Sequence, residues 1–156
     1  MEKGLTGMDL YEQIKSVLGE PKTPLRALSP LTLAFVGDTV WALAVSTMVV
    51  NRGNAGGAKL NEEFTACVSA RAQSRIALFL EESEKLTPQE MEIYRRGVNA
   101  KPHSKAKNAS SFEYHKATGL EALAGYLFMS GQTERLLELM AEGLKELERE
   151  ENKNEE

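Results

Sequence analysis

Two acidic residues stand out because each lies in an apolar stretch of helical character. Asp38 is set in LAFVGDTVWALAV (residues 33–45), and Glu121 is set in ATGLEALAGYLF (residues 117–128). On a helix, the positions three, four and seven residues from either acid carry no charge. A carboxylate among hydrocarbon side chains is costly unless a cation, a hydrogen-bond donor or a proton compensates for its desolvation. We therefore expect both acids to be buried among apolar side chains and to need a partner from elsewhere in the fold.

Two kinds of partner are consistent with this pattern. Each acid could be a buried structural group that is hydrogen-bonded to backbone or paired with an arginine such as Arg71 or Arg75. Alternatively, the two helices could bring both carboxylates to one hard divalent cation, which prefers oxygen ligands. Small residues on the same stretches would allow such helices to approach closely: Gly37, Ala122 and Gly125.

A third feature is the basic segment RRGVNAKPHSKAK, residues 95–107. It contains Arg95, Arg96, Lys101, Lys105 and Lys107 and no acid, in a chain whose net charge is -4. Such a loop suits phosphate oxygens, and it lacks the aromatic rings on which single-stranded nucleic acids stack. Double-stranded RNA, read through phosphates and 2′-hydroxyls, fits better. The alternative is a solvated loop that balances an acidic C-terminal helix.

Helical periodicity dominates the elements that must position these residues. Ser29 and Pro30 favour a helix start, Thr87 begins a capping-box sequence, and Thr133 is a further candidate cap. We expect helices over residues 8–18, 30–50, 58–85 (as one helix or two), 88–97, 110–129 and from 133 onward. No stretch alternates long enough to predict a strand, so the sequence predicts an all-α protein.

Composition narrows the class of protein. With 156 residues and 42% hydrophobic content the chain is expected to form one domain. The single cysteine, Cys67, excludes an internal disulfide framework, and the absence of a signal-type start predicts a cytoplasmic protein. The longest apolar run, residues 39–50, is shorter than the roughly 20 residues of a membrane span. GNAGGAK lacks the ending of a nucleotide-binding loop, so no nucleotide cofactor is expected.

The motifs together resemble a known family. FVGDTV, followed about eighty residues later by GLEALAGYLF, resembles the paired signature of the ribonuclease III family. RRGVNAKPHSKAKNAS with ATGLEALAGYL is similar to its short Mini-III subgroup, and the resemblance spans about residues 28–137. It implies a single all-α, homodimeric endonuclease domain over residues 1–150, with a disordered acidic tail at 151–156 and no double-stranded RNA-binding domain.

The resemblance also implies an activity and a site. Members cleave double-stranded RNA by a metal-activated water, with Mg²⁺ as cofactor and Mn²⁺ as a substitute, and the Mini-III subgroup implies precursor ribosomal RNA of the large subunit (23S). Asp38 and Glu121 match the family's catalytic, metal-binding acids. Two further acids of the larger enzymes correspond here to Leu31 and Thr118, of which Thr118 could serve through a water.

The remaining residues that the resemblance implies lie at interfaces. Phe35 matches an aromatic residue at the family's dimer contact. The implied RNA-binding residues are Arg95, Arg96, Lys101, His103, Lys105 and Lys107.

Two rival classes follow from the same features. One is a non-catalytic RNA-binding or scaffold protein of this fold, which the absence of acids at positions 31 and 118 would suit. Retention of Asp38 and Glu121 argues against it. The other is a di-iron carboxylate bundle, which needs Glu-x-x-His pairs that the sequence does not contain.

Overall fold

The fold is built from helices. The computed structural model describes residues 9–100 and 111–155, and in these residues there are helices but no strand. The helices are α1 (Leu10–Leu18), α2 (Pro30–Asn51), α3 (Gly57–Val68), α4 (Ala70–Glu82), α5 (Pro88–Val98), α6 (Ser111–Met129) and α7 (Thr133–Asn154). A 3₁₀ turn, Leu25–Ala27, precedes α2. The all-α prediction is confirmed.

Side-chain caps explain where several helices begin. The Ser29 hydroxyl accepts a hydrogen bond from the amide of Thr32, and Pro30 follows as the first residue of α2. Thr87 and Glu90 form the predicted capping box of α5. Ser69 ends α3 and caps α4, so the segment expected to form one or two helices forms two.

Three helix ends differ from the sequence expectation. Gly97 does not end α5 but is its penultimate residue, and its bare backbone packs against Gly119 and Ala122 of α6. Thr133 is the first residue of α7 rather than its cap. The tail expected to be disordered from residue 151 is helical through Asn154, since glutamate and lysine favour helices.

Helix α6 lies at the centre of the helix packing. This helix packs against α2, α4 and α5, and α7 packs against α4 and α6. The largest fully buried side chains come from these helices: Trp41, Tyr94, Ile76, Leu80, Leu123 and Leu127. The Trp41 indole N–H is satisfied by the carbonyl oxygen of Cys67 at 2.9 Å. This core fixes α2 and α6, which carry the two candidate acids, relative to each other.

A partly buried ion pair fixes α5 to α7. Glu90, 4% exposed, accepts hydrogen bonds from Nε and Nη2 of Arg135 at 3.0 and 2.9 Å. Burial on its own would raise the pKa of Glu90, but the hydrogen bonds from Arg135 and Thr87 outweigh it and lower the pKa. The N-terminal end of α5 is therefore held rigidly, and with it the arginines at the other end of the same helix.

Helix α2 is apolar on more than its core face. By length and composition alone it would be long enough to cross a membrane. Its buried residues, among them Leu33, Gly37 and Trp41, pack within the fold. Phe35, Leu43 and Val50 are exposed instead. The apolar character of α2 therefore has two sources, a core face and an exposed face.

Candidate active site

Helices α2 and α6 cross at two glycines. A Cβ atom on Gly37 would lie 1.7 Å from the carbonyl oxygen of Glu121 and 2.7 Å from the amide nitrogen of Gly125. A Cβ atom on Gly125 would lie 1.9 Å from the carbonyl oxygen of Leu33. The two backbones are thus in direct contact, which only glycine permits. The prediction that small residues let these helices approach closely is confirmed for Gly37 and Gly125, whereas Ala122 packs against Gly97 of α5.

The crossing brings the two candidate acids into one site. Asp38 directly follows Gly37, whose α-carbon faces the backbone of Glu121. The charge of Asp38 acts on the Glu121 carboxyl and contributes to raising its pKa. The acids are therefore neighbours in space although 82 residues separate them in the sequence.

Glu121 titrates far from its usual range. Burial is the main cause and the negative charge of Asp38 the second, and together they raise the pKa of Glu121 to about 8. At neutral pH this carboxyl is therefore mostly protonated while the protein has no bound cation. A cation between the two acids would favour the ionised form and reverse the shift.

The prediction that Asp38 is buried among apolar side chains is wrong. It is exposed, not surrounded by hydrocarbon, whereas Glu121 is half-buried as expected. Helical spacing gave Asp38 apolar neighbours, and three of them, Ala34, Trp41 and Val45, are buried in the core, so Asp38 lies at the border between the buried and the exposed sides of α2. Of the neighbours that share the side of Asp38, Phe35 is 78% exposed. Periodicity identifies a shared face and does not tell whether that face is covered.

The prediction that Arg71 or Arg75 pairs with one of the two acids is wrong. Arg75 pairs with Glu150, and Arg71 forms no ion pair within the part of the chain that the structure describes. Neither Asp38 nor Glu121 is bonded to a side chain of that part. Within residues 9–100 and 111–155, no cationic side chain is paired with either acid, and the charge of Asp38 contributes to the raised pKa of Glu121.

At the two positions where larger family members carry acids, this chain has an apolar residue, Leu31, and a threonine whose hydroxyl already donates a hydrogen bond, Thr118. Leu31 lies half-buried in the first turn of α2. Thr118 is buried, and its hydroxyl donates a hydrogen bond to the carbonyl oxygen of Tyr114 at 2.9 Å. The Thr118 oxygen can therefore only accept a further hydrogen bond, for example from a water.

The donor set fits a divalent cation of the Mg²⁺ kind. No group of three or more histidine, cysteine, aspartate or glutamate side chains suited to a metal occurs among the described residues. Zinc-type sites need such groups, but Mg²⁺ is commonly held by one or two carboxylates together with waters and substrate phosphates. Two neighbouring carboxylates, one exposed and one with a raised pKa, suit that mode of binding.

The predicted interface residues are only partly within the described chain. Phe35 is highly exposed, as a contact residue must be in a single subunit. Arg95 and Arg96 are exposed in the last turn of α5, where they line an open cleft of about 500 Å³ with Pro30 of α2. Four further predicted RNA-binding residues lie outside the described residues: Lys101, His103, Lys105 and Lys107.

One basic residue of this region was not predicted from the sequence. Arg26, in the 3₁₀ turn before α2, lines an adjoining cleft of about 370 Å³ together with Arg96. Nothing in the sequence singles it out, because it stands alone in a turn and about 70 residues before Arg96. Only the packing of the turn against α5 brings the two arginines to one cleft.

Comparisons with known proteins agree with this geometry. The model of the ribonuclease III domain matches residues 31–132. The Mini-ribonuclease 3 of Streptococcus pneumoniae is 40% identical over 114 residues, which cover 73% of this chain and 89% of that protein. The Mini-ribonuclease 3 of Symbiobacterium thermophilum is 42% identical over 113 residues, covering 72% and 85%.

A solved structure supports the same fold. A crystal structure of a protein from Fusobacterium nucleatum superposes with a TM-score of 0.68 at 28% identity. The superposition covers 78% of this chain and 95% of that one. The similarity thus extends over most of both molecules.

Proposed function

The chain belongs to the ribonuclease III family and is an endoribonuclease of that type, and on this premise we propose that it cleaves double-stranded RNA with a Mg²⁺ ion held by Asp38 and Glu121. The observation that carries the proposal is the contact of α2 and α6 at Gly37, which makes neighbours of these two acids. Mn²⁺ is the expected substitute, because it also prefers oxygen ligands.

The two carboxylates have different tasks in this proposal. Exposed Asp38 is accessible to solvent and substrate. Half-buried Glu121 must lose its proton before it can act as a ligand, because burial and Asp38 hold its pKa at about 8. When bound, a divalent cation neutralises charge on the scissile phosphate and lowers the pKa of the water that attacks phosphorus. Thr118 could accept a hydrogen bond from a water in this site.

Phosphate contacts position the duplex. Arg95 and Arg96 lie exposed at the end of α5, and the basic segment 101–107 follows them in the sequence. Arginine and lysine at such positions bind backbone phosphates and set the register of the duplex without reading its sequence. The natural substrate we propose is precursor ribosomal RNA of the large subunit, processed in the cytoplasm.

We also propose that the enzyme is a homodimer that associates through the exposed face of α2. The face is defined by Phe35, Leu43 and Val50, which are 78, 52 and 60% exposed. These residues share one side of the helix at steps of seven and eight residues. Exposed apolar patches of this kind mark interaction sites, and a two-fold dimer pairs the same patch on both subunits. Asp38 lies at the edge of this face.

Cleavage of a long RNA duplex tests the proposed function. Purified protein is incubated with duplex or single-stranded RNA in Mg²⁺ or in EDTA, next to the Asp38→Asn and Glu121→Gln variants. We expect cleavage of the duplex alone, dependent on metal and lost in both variants, while both variants still bind the duplex.

Two results would contradict the proposal. Full activity in either variant would remove that residue from the mechanism. Duplex binding by the wild type without cleavage in Mg²⁺ or Mn²⁺ would favour a non-catalytic RNA-binding protein and make the acid pair structural.

A further inference from the structure

The arginines of the described residues fall into two groups. Four of them are paired with glutamates: Arg52, Arg75, Arg135 and Arg149. The other four form no ion pair in residues 9–100 and 111–155: Arg26, Arg71, Arg95 and Arg96. Three of the unpaired residues, all but Arg71, line two adjoining clefts between the start of α2 and α5. In an acidic protein, three guanidinium groups without an ion pair beside a single carboxylate, that of Glu92, leave a local surplus of positive charge.

The two clefts adjoin each other and are treated as one surface. They share Arg96 and Glu92, with Arg95 in one cleft and Arg26 in the other. We call this surface the α2–α5 channel. Both parts are open and shallow, with volumes of about 500 and 370 Å³, which suits an extended polymer better than an enclosed small molecule.

The α2–α5 channel is lined by residues of the helix that also carries Asp38. Leu33 lies in its floor, and the carbonyl oxygen of Leu33 is the atom that Gly125 meets at the crossing of α2 and α6. Pro30 lines the other cleft of the α2–α5 channel. It lies on the same helix as Asp38, about 12 Å away along the axis for a rise of roughly 1.5 Å per residue. A nucleic-acid duplex carries several backbone phosphates over such a length.

We infer that the α2–α5 channel is a phosphate-binding surface for the part of an RNA duplex that extends beyond the cleavage site, and that Arg26 is a positioning residue within it. The inference rests on the proposed function and adds to it a residue that neither the motifs nor the basic loop indicates. A phosphate backbone is favoured over an acidic peptide because the arginines are spaced along an open surface that includes the start of α2, the helix that carries Asp38. Forked guanidinium groups match phosphate oxygens.

Glu92 allows a test in which removal of a charge is expected to strengthen RNA binding. It is exposed on α5 in the shared part of the α2–α5 channel and, within the described chain, pairs with no cation. Its negative charge opposes a phosphate, so its removal should tighten RNA binding, whereas removal of Arg26 should weaken it. A residue that merely supports the fold would not give this improvement.

The experiment measures binding to a duplex in EDTA, with every variant made in an Asp38→Asn parent so that the RNA is not cut. Affinity is determined from low to moderate salt. We expect Arg26→Gln to weaken binding about threefold to tenfold at low salt and to lower the slope of log affinity against log salt by about 0.9, the value for one phosphate contact. Arg26→Lys should retain most of the affinity, and Glu92→Gln should strengthen binding about threefold. Arg149→Gln is the control, because Arg149 already pairs with Glu146.

Three outcomes would overturn the inference. One is an unchanged salt slope in Arg26→Gln while the parent binds duplex normally, which leaves the proposed function intact. Another is weaker binding in Glu92→Gln. The third is an equal loss on single-stranded RNA of the same length, which would assign the surface to single strands. If the parent does not bind duplex at all and the wild type does not cleave it, the proposed function and this inference fall together.

Discussion

A methyl group at the crossing of α2 and α6 should damage both stability and activity. In Gly37→Ala the new Cβ would sit 1.7 Å from the Glu121 carbonyl oxygen and 2.7 Å from the Gly125 nitrogen. Both neighbours are backbone atoms, so the helices must separate by about 1.5 to 2 Å to restore ordinary contact distances near 3.4 Å. Overpacking of a well-packed core costs about 1–3 kcal/mol, and the contact with backbone puts this case at the upper end.

The gain in helix propensity offsets only part of this cost. Replacing glycine by alanine inside a helix contributes about 0.5–1 kcal/mol, which leaves a net loss of about 2 kcal/mol. For a chain of this size, the melting temperature should fall by roughly 4–8 °C. Separation of the helices also displaces Asp38 from Glu121, and a misplacement of about 1 Å can cost on the order of 100-fold in rate.

Thermal unfolding by circular dichroism and single-turnover cleavage of a duplex measure the two effects. Gly57→Ala is the control, because Gly57 also lies in a helix and a Cβ there would meet nothing within 4 Å. The control should be as stable as the wild type or slightly more so, with full activity. Wild-type stability and cleavage in Gly37→Ala would refute the argument that the backbone contact positions the acid pair.

Three further predictions concern the dimer face, the titration of Glu121 and the basic loop. Phe35→Asp should sediment as a folded monomer, because Phe35 is exposed in the single subunit, and an unchanged dimer would show that the interface lies elsewhere. The control Leu137→Asp, which changes an exposed residue of α7, should leave the dimer intact. The folded-state pKa of Glu121 is raised from 4.5 to about 8, so the metal-free protein should lose stability as pH rises from about 4.5 through about 8. Chemical unfolding of Glu121→Gln should show no such pH dependence, and an identical dependence in the variant would contradict the raised pKa. Lys101→Glu combined with Lys105→Glu should weaken duplex binding and flatten its salt dependence, whereas unchanged binding would make the loop a bystander.

Local sequence signals predicted the helices well. Ser29 with Pro30, and Thr87 with Glu90, act within one helical turn, so the starts of α2 and α5 could be read without knowledge of the fold. Gly97 shows the limit of such signals. A glycine near the end of a helix often stops it, but here Gly97 packs against Gly119 and the helix continues to Val98.

The candidate site was predicted in part. The charge and apolar setting of Glu121 indicated a buried acid, and Gly37 and Gly125 indicated a close crossing. The exposure of Asp38 could not be predicted, because helical spacing does not say which face of α2 another helix covers. Arg26 was missed for a related reason, since only tertiary packing brings a lone arginine to the arginines of α5.

The most direct test of the central claim is metal binding by the acid pair. Mn²⁺ is titrated into the metal-free protein and followed by its paramagnetic resonance, with Mg²⁺ as competitor, for the wild type, Asp38→Asn and Glu121→Gln. Glu134→Gln, which removes an exposed acid from the first turn of α7, is the control. We expect the wild type and the control to bind Mn²⁺ with protons released near neutral pH, because Glu121 must ionise, and Mg²⁺ to displace it. Both site variants should lose this binding, and retention of wild-type affinity in Asp38→Asn and Glu121→Gln would contradict the claim that these two acids hold the catalytic ion.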